Sequence, residues 1–172
     1  MPKDAQAKQH RDNQVIELRG RSLLVNQLFA AGIEVAIPMR DRGIDLVAYI
    51  DRDARSYVSR PIQLRAFRKE GIKLDRKHAA FPGLILALVC FIDDPKRTAI
   101  YALPYREAVQ VIDERGLLKW NKRQSYYRGL FGRDLLAMFD QRFRMTNKRW
   151  QQLIQNGRHT TVQRETERKI QC

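Results

Sequence analysis

Residues 43–67 read GIDLVAYIDRDARSYVSRPIQLRAF, and this stretch decides the fold. IDLVAYI and PIQLRAF are strand-like runs of β-branched and aromatic residues, and the charged segment between them suits a hairpin. The two runs are therefore expected to be neighbours in one sheet. Asp45 opens the first run, and Gln63 and Arg65 alternate on the second. A strand repeats its side-chain direction every second residue, so positions 63 and 65 point the same way, toward Asp45 on the adjoining strand.

Upstream, Ile16, Gly20, Leu24 and Leu28 recur at helical spacing, with Asn13 offering a cap and Gly32 a stop. IEVAIP follows as a short strand ended by Pro38. Downstream, GIKLDRKHAAFPG reads as irregular or as one helical turn. LILALVCFI is apolar without alternation, as expected of a strand buried on both faces. DDPKR turns the chain into TAIYAL, a partner strand, and PYREAVQVIDERG is a helix running from Pro104 to Gly116. LLKWNKRQSYYRGLFG has no clear period. RDLLAMFDQRFRMTNKRWQQLIQN is amphipathic and helical, with a break suggested near Thr146 and Asn147. The order describes an α/β (α+β) fold: a central mixed sheet of four to five strands flanked by helices, with a basic helical C-terminal region.

The chain has 172 residues, 44% of them hydrophobic, enough to bury a core and too many for a disordered segment. No apolar run reaches the ~18 residues of a membrane span. The polar start MPKDAQAKQHRDNQ lacks the apolar segment of a secretory signal, so no membrane association and a cytoplasmic location are expected. Cys90 and Cys172 offer neither a disulfide framework nor metal-ligand spacing.

Net charge is +14 and unevenly placed. Residues 1–114 hold 19 Lys/Arg against 15 Asp/Glu, whereas residues 115–172 hold 14 against 4. Such an imbalance fits a polyanion-binding face, or equally a solvated basic surface. In KWNKRQSYYRGLFGRD, Trp120, Tyr126 and Tyr127 alternate with Lys119, Lys122, Arg123 and Arg128. That mixture pairs phosphate neutralisation with stacking surfaces, making these residues the expected nucleic-acid contacts. The same aromatics would serve to pack the C-terminal helix on the sheet.

Glu17 in the first helix, GIEVAIP, GIDLVAYID and IQLRAF, in that order, resemble the restriction-endonuclease-like PD-(D/E)XK superfamily, in particular its Holliday-junction-resolvase-like and small uncharacterised branches. GLILALVCFIDDPKRTAIYALPYREAV resembles the hydrophobic strand pair and following helix of those branches. The resemblance covers residues 13–114 and implies a restriction-endonuclease-like core there. Residues 115–157 are expected as a basic helical extension packed on it, and 158–172 as a loose tail.

The resemblance further implies a metal-dependent endonuclease acting on DNA, with a homodimer as one assembly it allows. Hydrolysis of a phosphodiester by Mg²⁺ needs hard oxygen ligands to hold the ion and activate water. On this reading Asp45, Gln63 and Glu17 are the metal ligands. Arg65, or Lys69 further along the same strand, stabilises the transition-state charge. Asp41 is a further carboxylate at the strand mouth. Two positions depart from the family's pattern. Gln63 replaces an acid and brings no negative charge. Arg65 replaces a lysine and keeps the charge, but its very high pKa bars it from abstracting a proton.

These departures predict weak metal affinity and leave open a catalytically inactive, nuclease-fold DNA-binding module. A structural protein that docks its basic third on an acidic partner is a third option. Each residue also has a plain structural role: Asp45 as a turn cap, Gln63 and Arg65 as a polar strand face, and Glu17 as an exposed helical carboxylate.

Overall fold

The computed structural model describes residues 3–40, 42–118, 126–156 and 161–163, with side chains from residue 12 onward other than those of 126 and 161–163. Helix α1 (Lys3–Ala30) starts well before Asn13, which is therefore not its cap. Its first turns are rich in Ala, Gln and Lys, which favour helix without any apolar periodicity. The C-terminus closes as expected. Gly32 adopts a left-handed φ of 72°, its N–H donates to Phe29 O at 2.9 Å, and the Ile33 N–H donates to Leu28 O at 3.0 Å.

Strands β1 (Glu34–Ala36), β2 (Leu46–Asp53) and β3 (Ser56–Ala66) form an antiparallel meander. Leu46 is paired with Ile62, so the two runs of the opening stretch are indeed neighbours. The segment that follows contains the single helical turn allowed for it, a 3-10 turn (Arg76–Ala80), preceded by an unexpected short strand β4 (Ile72–Asp75). They carry the chain over to β5 (Ile85–Cys90), parallel to β3, and β6 (Ala99–Pro104) returns antiparallel to β5. The sheet order is β1-β2-β3-β5-β6. Parallel neighbours are usually joined by an α-helix; here the crossover is a strand and a turn.

Helix α2 (Tyr105–Asp113) follows Pro104 directly, and Gly116 takes a φ of 64° just beyond it. Strand β7 (Tyr126–Gly129), in a region that gave no periodic signal, pairs with β4 as a separate two-stranded ribbon. The amphipathic run 133–156 is two helices, α3 (Arg133–Arg142) and α4 (Asn147–Asn156). Between them the backbone runs beside β6. The Ala102 N–H donates to Phe143 O at 3.1 Å and the Met145 N–H to Ile100 O at 2.8 Å. The helix breaks because these backbone groups bond to the sheet edge.

The tail is also corrected in part. Residues 161–163 form β8 (Thr161–Gln163), antiparallel to β3 at Ser56, Tyr57 and Val58, where β5 no longer covers that edge. The rest of the expected loose tail, 158–160 and 164–172, lies outside the described residues.

Two apolar layers sandwich the sheet. Ile85, Ala87 and Val89 of β5 face Leu24 and Leu28 of α1 and Trp150 and Ile154 of α4. Leu86, Leu88 and Cys90 face Ile72 and Leu74 of β4, Ile112 of α2 and Phe139 of α3. All of β5 is buried, as its unbroken apolar run requires. Gly20 allows α1 to lie on β3: a Cβ there would stand 2.5 Å from the Ala66 Cβ.

Candidate functional site: a basic cleft at the end of β3

Asp45 sits one residue before β2, opposite Gln63 in the β2–β3 register. Its Oδ2 accepts a hydrogen bond from the Leu64 N–H at 2.7 Å and another from Gln63 Nε2. Gln63 also donates from Nε2 to Leu64 O at 3.1 Å, and its side chain is buried. Asp45 thus continues the β2–β3 ladder past the first residue of β2, satisfying a buried backbone donor that would otherwise be stranded. The adjacency of Asp45 and Gln63 expected from strand period is present. Its evident product is a strand-end anchor.

The remaining candidates lie elsewhere around the end of β3. Arg65 is half-buried, on the same face of β3 as Gln63, and its Nη1 donates to Leu64 O at 3.2 Å. Glu17 comes from α1, on the opposite side of the sheet, and forms an ion pair with Arg21 at 3.7 Å. Lys69 is exposed and follows the last residue of β3, Ala66, so it does not share strand parity with Arg65 as expected. Beyond Ala66 single backbone bonds still tie the chain to the end of β5, with the Phe67 N–H donating to Val89 O at 2.8 Å and the Phe91 N–H to Lys69 O at 3.3 Å, but the regular strand has ended. Glu17, Arg65 and Lys69 nonetheless line one cleft of about 460 Å³, to which Asp45 and Gln63 do not contribute.

A hard divalent cation needs several oxygen ligands on one point. Gln63 turns its NH₂, not its carbonyl, to Asp45. Among the described residues no group of three His, Cys, Asp or Glu side chains stands close enough to hold a metal ion. Among the described residues, the donor set around Asp45 therefore falls short of the oxygen ligands that Mg²⁺ requires. Asp41 lies outside the described residues.

The cleft is basic instead. Arg65 and Lys69 are joined there by Arg68, Lys73 and Arg128, against two carboxylates, Glu17 and Glu70. Arg68 is neutralised by Asp93 at 2.9 Å, but no ion pair engages Arg65, Lys69 or Arg128 among the described residues. Lys73 of β4 and Arg128 of β7 are direct cross-strand partners. Burial first, then the positive charges of Arg65 and Arg128, hold the Lys73 ammonium below the ordinary lysine range, with Asp75 opposing the shift. Like charges opposite each other destabilise a ribbon, and an anion bound beside them would offset that repulsion.

Of the seven expected nucleic-acid contacts, Arg128 is exposed in this cleft. Tyr127 is half-buried against the α2–α3 core, and burial raises its hydroxyl pKa. The packing role assigned to the aromatics as an alternative fits that residue. Lys119, Trp120, Lys122 and Arg123 lie outside the described residues, as does the side chain of Tyr126. Lys73 was not among the candidates read from sequence. Its signal was faint: one cation between Ile72 and Leu74 in a four-residue strand.

His78 is buried in the 3-10 turn, edge-on to Tyr105 with ring centres 5.6 Å apart. Among the described residues no helix is long and apolar enough to cross a membrane. No family model, curated protein or solved structure matches this chain.

Proposed function

We propose that this protein binds nucleic acid, holding phosphate in the cleft at the end of β3, and that its Asp45 cluster serves the sheet and not hydrolysis. The observation that carries this reading is the pairing of Lys73 with Arg128 across the β4–β7 ribbon, with Arg65 bearing on the same point. The cations are close enough to destabilise one another, and a phosphate oxygen is the natural counter-charge. The helix–meander–parallel-strand order of α1, β1–β3 and β5 supports a restriction-endonuclease-like core, with the crossover helix replaced by β4 and a turn.

The test is fluorescence anisotropy of a labelled DNA oligonucleotide over a salt series. Neutralising about four phosphates lowers affinity roughly a hundredfold between ~50 and ~200 mM salt. Lys73→Gln with Arg128→Gln flattens that slope. Salt-independent binding, or a slope unchanged by the double substitution, would falsify the reading.

A second reading, weak Mg²⁺-dependent cleavage of DNA, draws on the adjacency of Asp45 and Gln63 and on Arg65 next along the same face. It requires DNA cleavage that EDTA abolishes.

A further inference from the structure

Resting on the nucleic-acid reading, we propose that the cleft receives the end of a strand: a terminal phosphomonoester on Arg65, Lys73 and Arg128, and the terminal base along the apolar wall beside them. Three observations point there. The first is that the charge is focused. Lys73 and Arg128 occupy one cross-strand position and Arg65 acts on the same ammonium, while Glu17 and Glu70 share the lining. A continuous backbone spreads one negative charge per phosphate along its length and favours a uniformly basic track. A lining interrupted by two carboxylates favours a single anion of high charge.

The second is the charge of that anion. A phosphomonoester carries about −1.5 to −2 near neutral pH, whereas an internal diester carries one charge. A cluster of three cations, one of them partly desolvated, is better matched by the monoester. The guanidinium groups of Arg65 and Arg128 suit bidentate contact with its oxygens, and Lys73 supplies a point charge.

The third is the apolar side of the same space. Ile16, Phe67 and Leu130 line it, and Leu130 is 69% exposed. Bases stack on aromatic and apolar side chains without regard to sequence. A cleft of about 460 Å³ lies in the size range of small-molecule sites and is too small for a duplex.

The experiment compares four short single-stranded DNAs of one sequence on the full chain: 5′-phosphorylated, 3′-phosphorylated, hydroxyl at both ends, and circular. One phosphorylated form is expected to bind about tenfold more tightly than the hydroxyl-ended form, the equivalent of one good charge-assisted contact. The identity of that form assigns the end. The circle is expected to bind no better than the hydroxyl-ended strand. Lys73→Gln should erase the preference while leaving the melting temperature undiminished. Leu130→Ser should weaken all linear forms and spare the preference for phosphate. Equal, salt-sensitive affinity for all four DNAs overturns strand-end recognition but leaves nucleic-acid binding standing. Absence of binding to any of them overturns both.

Discussion

Lys73 and Arg128 face each other across the β4–β7 ribbon, two cations at one cross-strand position. Replacing Lys73 with Met keeps much of the apolar stem and removes the repulsion. The ribbon should then gain about 0.2–1 kcal/mol, the usual size of a cross-strand pair effect. DNA affinity should fall in the same variant. Thermal melting and anisotropy measured together check this; loss of both stability and binding would make Lys73 a packing residue.

Asp45 should behave as an anchor. Asp45→Ala strips the acceptor from the Leu64 N–H and from Gln63, at a cost of about 1–3 kcal/mol for buried donors left unsatisfied. Gln63→Glu sets a second carboxylate against Asp45, so at neutral pH it should also destabilise. Melting curves of this variant with Mg²⁺ and with EDTA separate the two readings of the cluster. If Mg²⁺ stabilises Gln63→Glu strongly, the site retains metal-binding geometry; if the curves coincide, it is structural.

Gly20→Ala should reverse the usual helix rule. In an exposed helix the change stabilises by about 0.5–1 kcal/mol. Here the new Cβ meets Ala66 at 2.5 Å, and separating α1 from β3 should cost about 1–3 kcal/mol. Chemical denaturation gives the sign directly.

Tyr105 predicts part of the alkaline limit of stability. Its hydroxyl donates to Asp75 O at 2.6 Å, and burial pushes its pKa up to about 12 from 10.0. A group whose folded pKa is raised contributes fully below the unfolded value and loses that contribution as pH climbs to the folded one. The Tyr105 contribution is therefore intact below pH 10 and declines between pH 10 and about 12. Tyr105→Phe should be less stable than the parent at neutral pH, with the gap narrowing through that window. A gap that stays constant to pH 12 would show that the hydroxyl titrates alike in both states.

The legible parts of this fold were those in which one residue pattern excludes alternatives. LILALVCFI contains no polar side chain that tolerates solvent, so a two-sided burial was forced. Pro104 and Gly116 bracketed α2 by chemistry that acts within a turn. The early start of α1 was illegible because Lys3 to Gln14 hold helix by propensity alone, with no apolar face to count. The β4–β7 ribbon was illegible for a different reason. IKLD and YYRG are each only four residues, and neither signals a partner some fifty residues away. The cleft inherits that limit: strand period put Gln63 opposite Asp45 correctly, but Lys73 meets Arg128 only through the ribbon. Glu17, from the helix, and Lys69, past the end of β3, do lie at the cleft, but Asp45 does not line it.

Trp150 Nε1 donates to Gln27 Oε1 at 2.8 Å, a contact between residues 123 apart in sequence. With Ile154, that indole completes the layer beneath α1. Consequently α1 and the meander, which are synthesised before α4, lack that cover until α4 has been made. The entropy of closing a loop of this length has to be met before α4 gains any buried area, so this layer is among the later parts of the fold to form. A chain halted near residue 114 would display Leu24, Leu28 and Ile62 to its surroundings, and such a fragment is a candidate for chaperone capture during synthesis.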